Sequence, residues 1–311
     1  MSKLKTIFMG TPDFAVPCLE VLQAKTEVLA VITQPDRPKG RGHNLQASPV
    51  KQKALEYNLP VLQPEKIKTE EFTAELERLQ PDLIVVVAFG QILSQRILDI
   101  PPLGCVNVHA SLLPRYRGAA PIHWSIINGE KETGVTTMLM DAGLDTGDML
   151  LMDKVTITEE MTTEELHDQL MAMGGKLLAE TIDGLANGTI TPEKQDDSIS
   201  NYAGMLNKET GHIDWSKSAV EIHNLIRGLN SWPVAWSMKD GKNYKFWRTK
   251  VENSNSDKAP GTVVELRKNS FCLATGEGLL EVLEIQPPSK KRMSAGDLLR
   301  GHGVAVGDIF N

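Results

Sequence analysis

The sequence predicts an α/β domain built on a parallel sheet, followed by a small β-barrel domain. Three observations carry this expectation. Over the first ~185 residues, short β-branched runs alternate with stretches of helical spacing, the pattern of strands joined by helical crossovers. The run DLIVVVAF at 82–89 is apolar almost throughout, as expected of a parallel strand covered on both faces. Beyond about residue 208 the chain changes to one helical stretch and then short strand-like runs separated by turn signals, the spacing of a small barrel.

Taken in order, TIFMG (6–10), VLAVIT (28–33), PVLQ (60–63), DLIVVVAF (82–89) and CVNVHA (105–110) read as strands. Between them, 14–25, 49–58, 69–79 and 92–99 carry apolar residues at helical spacing. GVTTMLM (134–140) and DMLLMDKVTI (148–157) add two strands at one side, and 164–185 is a long amphipathic helix that packs back on the sheet. From about 187 the chain is polar with no sustained apolar period. Residues 188–207 therefore read as a linker between a domain at 1–187 and a domain at 208–311. In the second domain SAVEIHNLIRGLN (218–230) is helical. VAWSM, KFWRTKV, GTVVELR, SFCLAT and LLEVLEIQ are strand-like, with KDGKN and TGEG as turns among them.

Two domains also suit a length of 311 residues. A hydrophobic content of 41% with 23% charged residues is ordinary for a globular protein, and no apolar run approaches the roughly 20 residues of a membrane helix. No membrane partner is expected. The opening MSKLKTIFMG has too few apolar residues before Gly10 for a signal peptide and reads as a first strand. Cys18, Cys105 and Cys272 are odd in number and far apart, which argues against a disulfide framework and for a reducing, cytoplasmic address. The net charge of −7 conceals an asymmetry: residues 1–200 hold 18 Lys+Arg against 28 Asp+Glu, and the remainder 15 against 12. A basic second part points to an anionic partner there; a chance imbalance on a solvated surface is the alternative.

Several activities lack their usual signatures. The first strand ends in G-T-P-D without GxGxxG, and GxxxxGK[ST], HExxH, paired CxxC and GxSxG are absent. Asp145-Thr146-Gly147 matches the aspartic-protease triplet, but that chemistry needs two carboxylates sharing a proton and the chain has one such triplet. His109 has no second ligand at usable spacing, so no metal is expected.

The stretch GCVNVHASLLPRYRGAAPI (104–122) is different. Within a strand at 105–110, Asn107 and His109 project from one face near its carboxyl end, where open α/β sheets place their ligands. An amide donor beside an imidazole suits a carbonyl substrate: two donors for a developing oxyanion, one able to exchange a proton. Asp145, in the loop MDAGLDTGDM, is a carboxylate that could orient the imidazole and favour its cation. Each residue also has a plainer reading: His109 as a hydrogen-bonded core residue, Asp145 as a turn former, Asn107 as a partner for backbone. Chemistry and spacing alone leave the two readings level.

NVHASLLPRYRGAAPI at 107–122 with LDTGD at 144–148 resembles the signature of folate-dependent formyltransferases. The resemblance extends over essentially the whole chain. GTPDFAVPCLE (10–20), TQPDRPKGRG (33–42), SPVK (48–51), IDWS (213–216), NSWPVAW (230–236), AP-G-T (259–262) and KKRMSAGDLLRG (290–301) are similar to the tRNA-acting members. It implies a Rossmann-like, mostly parallel sheet with flanking helices, then an OB-like β-barrel domain. It also implies transfer of a formyl group from 10-formyltetrahydrofolate to the α-amine of initiator methionyl-tRNA. A monomer is expected. Asn107, His109 and Asp145 match the family's catalytic residues. By the same resemblance the folate pocket lies along Phe89, Gly90, Gln91, Ile92 and Leu93, at Ser111, Leu112, Leu113 and Pro114, and around Asp141.

The tRNA side falls on the connection 34–49, which is longer than such loops usually are and carries Arg37, Lys39 and Arg41 among prolines and glycines. Three cations there suit phosphate contact and insertion into an acceptor stem, and the resemblance points to Arg41 as the residue sensing the weak first base pair. A solvated lid is the rival reading. Lys242, Lys245, Arg248, Lys250 and Lys290 to Arg292 are further candidates for a phosphate-tracking surface. Sugar-nucleotide formyltransferases, formyltetrahydrofolate hydrolase domains and an inactive RNA-binding relative are the competing assignments. Arg115 and Arg117 have no role at this level.

Overall fold

In the computed structural model, which describes residues 3–39 and 44–311, the chain opens with β1 (Lys5–Gly10), α1 (Val16–Lys25) and β2 (Glu27–Ile32). A short hairpin of β3 (Arg37–Lys39) and β4 (Asn44–Gln46) precedes α2 (Pro49–Glu56), β5 (Val61–Leu62), α3 (Glu70–Leu79) and β6 (Leu83–Val87). Then come α4 (Gln95–Leu98), β7 (Cys105–His109), β8 (Arg117–Gly118), α5 (Pro121–Ile127), β9 (Glu132–Leu139), β10 (Met149–Thr156), α6 (Thr163–Asn187) and β11 (Tyr202–Ala203). The remainder holds α7 (Ala219–Gly228), β12 (Ala235–Lys239), β13 (Lys242–Glu252), β14 (Val263–Leu266), β15 (Phe271–Ala274), β16 (Leu279–Gln286), β17 (Met293–Ser294) and α8 (Ala295–Arg300).

The chain divides into two compact units. The first takes in 1–118, 133–155 and 167–203; the second takes in 119–132, 156–166 and 204–311. The division differs from the 1–187 and 208–311 read from sequence. Residues 188–203, read there as part of a linker, are in the first unit, where Gln195 bonds the Asp145 and Gly147 carbonyls although most of the segment is exposed.

In the first unit seven strands run β10-β9-β7-β6-β1-β2-β5. The pairs from β5 to β7 are parallel, and β9 is antiparallel to β7. Every residue of β6 is buried, the consequence of helices on both sides of a central strand. One face packs Ile7, Met9, Ile84 and Val86 with Phe72, Leu76 and Ile97. On β7 the Val108 side chain approaches the backbone of α6 at Gly174, where an added Cβ would stand 3.2 Å from it. The expected helix at 92–99 shrinks to the single turn α4: the backbone leaves β6 through positive φ at Ala88 and Gly90, and Pro101 and Pro102 follow closely. The connection at 34–49 carries a hairpin; α5, with Pro121 in its first turn, belongs to the second unit.

The second unit is a six-stranded sheet, β12-β13-β16-β15-β14 with β17 beside β16, and all its ladders are antiparallel. The tail meets both edges. Asn311 exchanges backbone hydrogen bonds with Met238 of β12, while the Asp308 carbonyl and Gly307 amide bond Val263 of β14. Exposed edges are aggregation-prone, and the tail covers these two in the manner of barrel closure. Phe310, carried by the same tail, packs edge-on against Tyr244 and Phe246 at ring distances of 5.5 and 5.4 Å. Helix α7 starts in a capping box of Ser218 and Glu221.

Candidate active site

Asn107 and His109 lie on β7 with one residue between them, and the register pairs Asn107 with Val86 of β6. The segments that leave these two strands, 88–93 and 110–114, thus emerge side by side at the carboxyl edge. Both side chains approach the same carboxylate. Asn107 Nδ2 donates toward Asp145 Oδ1 at 3.4 Å, and His109 Nδ1 stands 3.7 Å from Asp145 Oδ2. His109 Nε2 is 2.9 Å from the Tyr116 carbonyl oxygen. A carbonyl only accepts, so Nε2 carries a proton, and Nδ1 is the nitrogen left to gain or lose one opposite Asp145. The imidazole is buried and the carboxylate nearly so.

Asp145 arrives by a route the sequence does not show. Because β9 is antiparallel, its end lies at the amino edge of β7, where the Met140 amide bonds the Cys105 carbonyl. The loop 141–148 then folds back across the face of β7. Asp141 is exposed and closes this loop, accepting from Gly143 N at 3.0 Å and Thr146 Oγ1 at 2.7 Å. Asp145 itself has φ +54°, and its Oδ2 accepts from Gly118 N at 2.8 Å. Gly118 belongs to a turn in which Tyr116 has φ +59° and Gly118 +112°. Two backbone atoms of that turn, Tyr116 O and Gly118 N, therefore hold the imidazole and the carboxylate.

The Leu-Leu-Pro corner is built from below. Thr136 Oγ1 donates to the Ser111 carbonyl at 2.7 Å and accepts from Leu113 N at 3.2 Å, while Ser111 Oγ donates to the Arg115 carbonyl. Ser111, Leu113 and Pro114 are buried, and Leu112 is half-buried. On the neighbouring segment Phe89 and Leu93 sit in the core, and Phe89 O accepts from Thr11 Oγ1 and Gln34 Nε2. Gln91 is turned inward, accepting from Ile67 N, whereas Ile92 is exposed. Ile92 and Leu112 are thus the accessible apolar side chains of these two segments, beside the positive-φ backbone of Ala88 and Gly90, an apolar surface next to backbone groups of the kind a flat ring with an amide-like edge could use.

At the hairpin, Arg37 is exposed, Lys39 closes β3, and Arg41 lies outside the described residues. Its base is tied down. Lys51 Nζ bonds Asp36 Oδ2 at 2.6 Å and Gln63 Oε1 at 2.7 Å, and Gln63 Nε2 donates to Asp36 Oδ1. The Lys51 hydrogen bond holds the Asp36 carboxyl below its usual range. In the second unit a register shift in β13 sets Trp247 and Arg248 consecutively on the outer side, with Lys245 and Lys250, since Tyr244, Phe246 and Thr249 are buried. Arg292 lies over the Trp247 ring at 4.7 Å.

Sequence reasoning missed Tyr116, Gly118, Gln195 and Asn201. Gln195 Nε2 donates to the Asp145 and Gly147 carbonyls, and Asn201 Oδ1 accepts from Tyr116 N. Gly118 carried a turn signal in RYRGAAP; the two polar residues sit in a run with no period and carried none. No group of metal-binding side chains occurs among the described residues, and no helix there is long and apolar enough to cross a membrane.

A mostly parallel α/β unit with an amide, an imidazole and a carboxylate converging beyond one strand, joined to an antiparallel unit, defines a class. Residues 4–182 match the formyl transferase family and residues 205–303 match the formyl transferase C-terminal domain, so the chain belongs to the formyl transferase family. Relatives named methionyl-tRNA formyltransferase span it entirely. That of Clostridium perfringens (strain 13 / Type A) is 55% identical over 308 residues, covering 99% of this chain and 100% of the relative. That of Trichlorobacter lovleyi is 53% identical over 311 residues, covering 100% and 98%. Among solved structures the sugar 3N-formyl transferase WlaRD superposes with a TM-score of 0.69 at 21% identity, covering 94% of this chain and 100% of that one. HypX from Aquifex aeolicus, in complex with tetrahydrofolic acid, gives 0.62 at 16% identity, covering 98% and 48%. At these identities the likeness is one of fold.

Proposed function

We propose that the protein transfers a formyl group from 10-formyltetrahydrofolate to the α-amino group of methionine esterified to initiator tRNA, giving formylmethionyl-tRNA and tetrahydrofolate. The observation that carries this reading is the convergence of Asn107 and His109 on Asp145, within 3.4 and 3.7 Å, beside the segment 88–93. The full-length relatives named methionyl-tRNA formyltransferase support the acceptor. The family and its folate-bound fold neighbours support the donor.

One C–N bond forms at the methionine amine, one breaks at N10, and the amine's proton passes to N10. Asn107 Nδ2 is the fixed donor for the oxygen that gains charge as the carbon becomes tetrahedral. His109 exchanges the proton through Nδ1, its ring held by Tyr116 O, and the Asp145 carboxylate faces the positive charge that results. Arg37, Lys39 and Arg41, all in the sequence between 34 and 49, and the outer side of β13 take the tRNA backbone. The three unpaired thiols suit a reducing cytoplasm, and a monomer suffices because the cluster comes from one chain.

The test follows labelled formyl from 10-formyltetrahydrofolate into initiator methionyl-tRNA, uncharged tRNA, a nucleotide-linked amino sugar and water. Label is expected in methionyl-tRNA. Preferential transfer to the amino sugar, or release as formate, would overturn the assignment.

A further inference from the structure

We infer that residues 193–203 form a strap that positions Asp145 and His109 for reaction, with Gln195 and Asn201 as its positioning residues; this rests on the formyl-transfer reading above. Neither side chain touches the reacting groups. Each holds the backbone that aims them.

Gln195 joins the two halves of the site. Its Nε2 donates to Asp145 O and to Gly147 O, both at 2.8 Å, which pins the loop on either side of Thr146. Its Oε1 accepts from Arg117 Nε at 3.0 Å and Nη2 at 2.8 Å. Arg117 Nη2 also bonds Asp197 Oδ1 at 2.7 Å, so this guanidinium is committed to the strap rather than to a ligand. Asn201 secures the turn. Its Oδ1 accepts from Tyr116 N, and its carbonyl accepts from Arg117 N at 3.1 Å, continuing into the parallel pairing of β11 with β8. At the other end Glu193 and Met149 exchange backbone hydrogen bonds of 2.8 Å.

The strap thus clamps both members of each catalytic contact. The turn supplies Tyr116 O to His109 and Gly118 N to Asp145, and left-handed backbone at Tyr116 and Asp145 would relax without outside partners. A misplacement of about 1 Å at reacting groups costs on the order of a hundredfold in rate.

Gln195→Glu separates the roles: it keeps an acceptor for Arg117 and removes both donors to the Asp145 loop. With concentrations corrected by active-site titration, kcat for methionyl-tRNA is expected to fall about 10- to 100-fold, with both KM values within about threefold. Measured in single turnover in an Asp145→Asn background, the same change should cost less than about threefold, because the group it aims is already disabled. Asn201→Asp, which keeps the acceptor, should retain near-normal kcat, and Asn201→Ala should lose it. An equal cost of Gln195→Glu in both backgrounds, or normal kcat in Gln195→Glu and Asn201→Ala, overturns the strap. Wild-type protein runs in parallel: if it fails to formylate methionyl-tRNA, the formyl-transfer reading falls, whereas an active wild type with unaffected variants sinks the strap alone.

Discussion

Replacing Gly118 with alanine puts a methyl group where the turn has no room and tests how strictly the turn sets the chemistry. An ideal Cβ there stands 2.5 Å from Tyr202 Cε2 and 2.8 Å from the Ala203 carbonyl oxygen. Tyr202 is 65% exposed and can swing away. The carbonyl is backbone in the β11–β8 pairing and cannot. A φ of +112° costs a residue with a side chain about 1–3 kcal/mol, and relief of the crowding a similar amount. On the order of 4 kcal/mol then lowers the Tm by about 8–16 °C in a unit of this size. The rate suffers separately, because Gly118 N donates to Asp145 Oδ2 at 2.8 Å. A hydrogen bond to a charged group is worth about 1.5–3 kcal/mol, hence about 10- to 150-fold in kcat. Initial rates at saturating donor and methionyl-tRNA, well below the variant's own Tm by near-UV circular dichroism, measure it. A folded Gly118→Ala enzyme with kcat within twofold of wild type would refute the reasoning.

Further consequences are open to the same assays. His109→Ala removes the proton carrier and the charge that faces Asp145, so single-turnover transfer should slow at least roughly a hundredfold; near-normal turnover would remove His109 from the mechanism. In the second unit His223 Nε2 donates to the Glu159 carbonyl, its Nδ1 meets the Thr249 hydroxyl, and burial pushes its pKa below the ordinary value. Below pH ~6.5 the unfolded chain then binds a proton that the folded unit resists, so stability falls as pH drops from there through the folded value. Urea midpoints between pH 5 and 8 should show that slope in wild type and a flatter one in His223→Gln. Binding of initiator tRNA should weaken steeply between 50 and 200 mM salt, with a smaller slope in Arg37→Ala; a salt-independent Kd contradicts the basic surfaces.

What the sequence could and could not show follows from which interactions are local. The central strand β6 was legible because burial on both faces leaves an uninterrupted apolar run. Asn107 and His109 were legible as a pair because period two is a property of one strand. Asp145 was legible as a residue but not as a position. Its loop starts at the amino edge of β7 and crosses its face only because β9 is antiparallel, which no spacing within 134–148 encodes. The residues expected to line a folate pocket show a related limit. Composition marks Phe89, Leu93 and Leu113 as apolar, yet they are core, leaving their segments to present backbone with Ile92 and Leu112.

The polar run 188–207 reads in sequence as a linker, whereas residues 188–203 fall in the first compact unit. Linkers and straps share composition, since both lack an apolar period, and they differ only in whether their polar groups meet water or protein. Here Gln195 uses both its donor and its acceptor on protein atoms, and Asn201 accepts from backbone amides through both its side chain and its carbonyl. A segment that buries no apolar face contributes little to folding by burial, so this one gains its order from a dense set of directional bonds. Those bonds end on Asp145, Gly147, Tyr116 and Arg117. Local pattern carries no signal for such contacts, because a side chain that bonds a distant loop needs no period of its own.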